Sequence, residues 1–222
     1  LSIARILIIQ YPFSNIANVI DTLKKRIALS SCINNKVKSK TLVYRGDYTK
    51  ANGICSTIEK AINSNSLNVI FIDPTDLSVP FSLYKELSKR LQKVDFVLNI
   101  ATGTDLNRNI VKAFDERELP IRKKYEKALG SNLFFEDEKN RRLAQKNQST
   151  LLTDAFLERL LLSFYEIGYP MHVEKRIRNY YQLIYLSQKS LGKKLWEVAV
   201  KRNASEADSR QGLLNLSGGN NG

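Results

Sequence analysis

Asn68-Val69-Ile70-Phe71-Ile72-Asp73-Pro74 reads as a core strand that stops abruptly at an acid. Proline cannot donate to a strand ladder and holds the residue before it extended, so the chain has to leave the sheet at this point. In open α/β sheets the carboxyl edge is where ligands bind, which gives an acid placed there a chemical use. Strand-Asp-Pro is also an ordinary way to end a strand, so Asp73 gains weight only from its neighbours.

On either side of this stretch, strands and helices alternate. Thr41-Leu42-Val43-Tyr44-Arg45 is β-rich and stops at Gly46-Asp47, and Ile16 to Asp21 reads as a short strand that also ends in an acid. Ile54, Ile58 and Ile62 lie on one face of a helix over about 50–63, and Phe81 to Leu91 is amphipathic. Val94-Asp95-Phe96-Val97-Leu98-Asn99-Ile100 is a further strand. This order predicts an α/β, doubly wound, Rossmann-like and mostly parallel sheet. From about 105 to 150 charged residues dominate, which predicts a helical, surface-facing insertion. A helix over 151–167 follows, with Leu152, Phe156, Leu160 and Phe164 on one stripe, and then a C-terminal antiparallel hairpin turning at Arg178-Asn179. A short helix over 191–201 contains Trp196. One domain over 1–205 and a disordered tail over 206–222 complete the expectation. The short apolar run at the start, Ile6-Leu7-Ile8-Ile9, fits helix or strand by pattern alone.

Thirty-five Lys and Arg against 22 Asp and Glu give a net charge of +13. Such a field attracts polyanions, nucleic acid among them. The densest basic runs are Arg122-Lys123-Lys124 and Arg141-Arg142, the candidate nucleic-acid contacts, although charge runs of this kind are commonly solvated helix faces. The two cysteines, Cys32 and Cys55, lack metal-ligand spacing and read as buried thiols in a reducing cytoplasm. A single histidine, His172, leaves almost no material for a histidine metal site or a Ser-His-Asp triad, and no metal is expected. No apolar run reaches the length of a membrane span, so no membrane partner is expected.

Asp21, Asp47 and Asp73 each end a predicted strand, at equal intervals of 26 residues. In a parallel sheet such ends lie side by side, and three carboxylates would converge on one crevice able to hold a nucleoside. Asn99, at the end of the next strand, is the candidate amide at the reacting end. Asp105, Arg108 and Asp115 follow and read as crevice or helix-surface residues. Tyr165, Tyr169, Tyr180, Tyr181 and Tyr185 lie among Lys175, Arg176 and Arg178, a mixture that suits base stacking or simple strand packing.

Three stretches carry a resemblance to a known family. They are Phe71 to Ser82, with its Asp73-Pro74; Val94 to Asn99, with Asn107-Arg108-Asn109 after it; and Tyr180 to Ser187, followed by Gly192 and Trp196. Together they resemble the three-Cys-motif partner (TcmP) family, a Rossmann-like S-adenosylmethionine-dependent methyltransferase type, over about residues 1–200. The resemblance implies S-adenosylmethionine as cofactor and a radical-SAM-like protein as partner, with the methyl acceptor open and nucleic acid among the candidates. It places Asp21 at the ribose hydroxyls, Asp47 on the adenine side, and Asp73 and Pro74 at the methyl-transfer end, where Asn99 is the further polar candidate. It also puts Leu1–Gln10 on the first helix, with the family's opening strand and Gly-rich turn missing, so the chain reads as a piece of something longer. Thr75-Asp76 stands where the family has an aromatic residue and a glycine. That departure supports an alternative, a non-catalytic nucleic-acid- or protein-binding module with a degenerate crevice.

Overall fold

A computed structural model describes residues 5–8, 51–61, 68–74, 76–91, 93–177, 180–194 and 196–198. The central element is β2 (Asn68–Ile72), in which alternate residues are buried, followed by exposed Asp73. It pairs in parallel with β3 (Val94–Ile100), from Asn68 opposite Val94 to Ile72 opposite Leu98. On its other side β1 (Arg5–Ile8) also runs parallel, Arg5 opposite Val69 and Ile8 opposite Ile72. Between strands the chain passes through α1 (Ala51–Ala61) and α2 (Phe81–Arg90).

Beyond β3 the pattern changes. The chain enters a π-helical turn (Thr102–Leu106), then α3 (Leu119–Leu129), α4 (Glu138–Gln145) and α5 (Ser149–Glu166). It returns as the hairpin β4 (Met171–Ile177) and β5 (Tyr181–Ser187). Strand β5 inserts between β3 and β4, antiparallel to both, giving the order β1-β2-β3-β5-β4.

This corrects the expected fold. Two pairings of the sheet are parallel and two are antiparallel, so it is mixed rather than mostly parallel and doubly wound. The cause is the helical stretch after β3: it delivers a hairpin to the β3 edge instead of another crossover strand, and a hairpin can only pair antiparallel within itself. Residues 5–8 are strand rather than the first helix, because four apolar-rich residues complete a ladder with β2. The predicted strands ending at Asp21 and Asp47, and the tail from 206, lie outside the described residues.

The charged segment is helical but not surface-facing throughout. Leu106, Ile110, Ala113, Tyr125, Leu129 and Phe135 are buried in the same core as Ile70, Phe96 and Leu98. Leu152, Phe156, Leu160 and Phe164 form the buried stripe of α5, with Phe164 in edge contact with Phe81 and Tyr84 of α2. Aromatic pairs in this geometry add to the gain from burial alone. Among the described residues, no helix is long and apolar enough to cross a membrane.

Candidate functional site

The parallel pairing of β2 and β3 puts the residue after Ile72 opposite the residue after Leu98. Asp73 and Asn99 therefore meet at the carboxyl edge, and Asn99 Nδ2 donates to Asp73 Oδ1 at 2.7 Å. This contact sets the amide's orientation, since the flipped amide would turn an oxygen toward a carboxylate oxygen. Asn99 Oδ1 is buried and has no hydrogen-bond donor among the described residues. Beside it lies a narrow cavity of about 10 Å³, lined in part by Ile72, Pro74, Leu77, Tyr84, Asn99 and Leu160. That is about the room one water molecule takes. Of the candidate catalytic residues, Asp73 and Asn99 are thus in direct contact, and Pro74 lines the same cavity.

The loop after Pro74 is tied down from the helical side. Asp105 is 5% exposed and accepts from the Leu77 amide at 2.9 Å. It also accepts from Lys124 Nζ at 2.8 and 2.9 Å, from Asn109 Nδ2 at 3.0 Å and from the Tyr125 hydroxyl at 3.1 Å. Burial pushes the Asp105 carboxyl up, but the Lys124 ammonium and the Leu77 and Asn109 donors outweigh it and hold the group below its usual range. Burial, with Asp105 beside it, pushes the Tyr125 hydroxyl up and keeps it a neutral donor. Lys124 also reaches Asp76 Oδ2 at 3.6 Å, and Asp76 accepts from the amide and hydroxyl of Ser78.

A second buried acid sits on β3. Asp95, 4% exposed, accepts from the Tyr185 hydroxyl of β5 at 2.6 Å. Burial raises its carboxyl, and hydrogen bonds from Tyr185 and Ser187 pull it partly back. Gly192 lies directly over this cluster, where a Cβ would fall 2.5 Å from the Tyr185 hydroxyl and 3.0 Å from Asp95 Oδ2. Trp196 stacks on the Tyr185 ring at 4.8 Å and 3°. Gly192 and Trp196 thus hold the helical residues 190–194 and 196–198 onto the sheet.

No protein-family model, curated protein or solved structure matches the chain.

Asp21 and Asp47, the candidate acids for the adenosine, lie outside the described residues. The five candidate nucleic-acid contacts have separate surroundings. Arg122 pairs with Glu126 at 2.8 Å and lies over the Phe135 ring at 5.3 Å. Arg141 donates to the Phe135 carbonyl at 3.2 Å, and Arg142 pairs with Glu138 at 3.1 Å. Lys124 is spent on Asp105, which leaves Lys123 as the exposed cation of its run. Among the weaker candidates, Arg108 is exposed and Asp115 caps the next turn by accepting from the Arg117 amide. His172 lies 3.6 Å from Glu174 on the exposed β4. The tyrosines do not share a face: Tyr169 and Tyr185 are buried, while Tyr165 and Tyr180 are exposed.

Sequence reasoning passed over the tie between Asp105 and Lys124 and the role of Asp95. A carboxylate inside the apolar run Val94 to Ile100 was the available signal for Asp95, since a buried acid needs donors. For Asp105 the sequence offered only a helix-start acid, and its partner lies 19 residues away.

Proposed function

We propose that this chain is a S-adenosylmethionine-dependent methyltransferase-like protein of the three-Cys-motif partner type. The observation that carries the reading is the Asp73–Asn99 pair at the carboxyl ends of two adjacent parallel strands. One Nδ2 hydrogen goes to Asp73, and the pair offers two acceptors, the exposed Asp73 carboxylate at the strand edge and the buried Asn99 Oδ1 that no donor meets among the described residues. Such a pair fits the reacting end of the proposed crevice. S-adenosylmethionine, when bound, supplies an electrophilic methyl group on a cationic sulfur.

The chain's own residues do the rest by positioning. The exposed Asp73 carboxylate orients an acceptor group that carries hydrogen, an amine or a hydroxyl, and takes the proton it releases. Asp21 and Asp47 are the acids that would accept from the ribose hydroxyls and the adenine amine. On the same reading the protein partner is a radical-SAM-like protein.

A second reading, a binding module that transfers nothing, has one observation in its favour. The cavity beside Asn99 is about 10 Å³, and the loop that walls it is held by Asp105. Isothermal titration of the full-length native chain with S-adenosylhomocysteine separates the two. Heat of binding that disappears in Asn99→Ala and Asp73→Ala supports the transferase reading. A folded full-length protein that gives no heat overturns it.

A further inference from the structure

Outside the Asp73–Asn99 site, an open cleft of about 410 Å³ lies where the end of α3 meets the start of α2. Gly130 makes the meeting close. It ends α3 at φ 69°, and a Cβ there would lie 2.9 Å from Phe81 Cδ1, so only glycine lets the two helices approach this far. Ser82, Lys123, Glu126, Lys127, Ser131 and Asn132 line the cleft.

Its charge is one-sided in effect. Glu126 is the lone carboxylate among the lining residues, and Arg122 already neutralises it at 2.8 Å. Lys123 and Lys127 are exposed and have no carboxylate partner among the described residues. They stand four residues apart on α3, about 6 Å along the axis, where like charges repel. Asn132 is spent on Glu136, whereas Ser131 Oγ accepts from the Leu133 amide and keeps its hydroxyl hydrogen free to donate. Two adjacent cations with serine hydroxyls beside them, in an open cleft rather than an enclosed pocket, suit a chain of repeated monoanions better than a single small anion. The net charge of +13 draws such a chain from a distance.

We infer that this cleft binds the phosphodiester backbone of nucleic acid, with Lys123 and Lys127 as the phosphate contacts and Ser82 and Ser131 as hydroxyl donors. The contact set differs from the basic runs visible in sequence, because Arg122 and Lys124 turn to Glu126 and Asp105. The inference does not depend on the transferase reading: a chain that ignores S-adenosylhomocysteine would still hold nucleic acid here.

The test is fluorescence anisotropy of the full chain with labelled duplex and single-stranded DNA, titrated between about 50 and 200 mM salt. Each phosphate contact contributes about 0.9 to the salt slope on duplex, so Lys123→Ala/Lys127→Ala is expected to lower that slope by about 1.8 and weaken binding about tenfold. Lys139→Ala/Lys146→Ala removes the same charge from exposed positions on and after α4, outside the cleft, and is expected to leave the slope nearly unchanged. A larger loss on duplex than on single strands, or the reverse, identifies the form that is bound. Equal effects of the two double variants overturn the site, because they show a diffuse field. No binding of either DNA at the low-salt end also overturns it, as does lysine-dependent binding to anionic vesicles alone.

Discussion

Replacing Lys124 with Met keeps the length of the side chain and removes its charge, and the structure says what that leaves behind. Asp105 is 5% exposed and would lose the one cation that pairs with it among the described residues, at 2.8 Å. Leaving one partner of a buried pair uncompensated costs about 3–5 kcal/mol. Two features reduce this. The Lys124 side chain is 25% exposed, and Asp105 keeps donors from Leu77, Asn109 and Tyr125. About 2–3 kcal/mol remains, which at a urea slope of about 2 kcal/mol/M moves the midpoint down by about 1–1.5 M. The pH dependence follows from the lowered carboxyl. A folded-state value below the unfolded one stabilises above the unfolded value and is lost as pH falls through the folded one. Wild type should therefore lose this contribution on acidification, and Lys124→Met should lose less, having less to give up. Urea melts by circular dichroism at neutral and acidic pH measure both, and amide exchange at Leu77 reads the loop locally. A midpoint shift no larger than that of Lys123→Met, an exposed control on the same helix, refutes the reasoning.

Other perturbations probe the site and the second acid. Asn99→Ala should cost about 1 kcal/mol of stability, as for one hydrogen bond, yet abolish S-adenosylhomocysteine heat, read by urea melts and titration calorimetry. Gly192→Ala forces a Cβ against the Tyr185 and Ser187 hydroxyls and should cost about 1–3 kcal/mol as overpacking. Because Trp196 is the chain's only tryptophan, the unstacking from Tyr185 should show directly as a fluorescence change. Asp95 is raised by burial, so its charge destabilises the fold once pH exceeds its unfolded value. Asp95→Asn should therefore raise the urea midpoint at neutral pH and leave it unchanged in acid, where the carboxyl is already neutral.

Local pattern made part of this fold readable and left the rest hidden. Strands β2 and β3, the stripe of α5 and the terminal hairpin are encoded in short periodicities, which a few consecutive residues determine. The contact between Asp73 and Asn99 was within reach for the same reason, since both end neighbouring strands joined by one short crossover. Strand order was not. Whether β5 pairs with β3 depends on residues about ninety positions apart, such as Tyr185 and Asp95, and no window of sequence carries that. Residues 5–8 show the limit in miniature: their own pattern fits either element, and the ladder with β2 decides. The basic run Arg122-Lys123-Lys124 misled differently. Consecutive helical positions point about 100° apart, so the three cations could not share one surface, and one faces Asp105.

The three described acids of the sheet edge and its surroundings divide by what surrounds them, not by where they fall in sequence. Asp95 and Asp105 are both buried, yet one has no cation beside it among the described residues and is raised while the other has Lys124 and is lowered. Asp105 is engaged by Leu77, Asn109, Lys124 and Tyr125, and Asp95 is buried against Tyr185 under Gly192, so neither faces an open site. Asp73 is exposed and receives a single donor, from an amide whose oxygen remains unmatched. Unspent acceptor capacity at a strand terminus is what a ligand with N–H or O–H groups can use. It costs stability to leave a buried oxygen without a donor; Asn99 Oδ1 is one of several such atoms among the described residues, but it is the one whose amide also holds the exposed Asp73, and that pairing points to the strand end as the place where another molecule completes the hydrogen bonding.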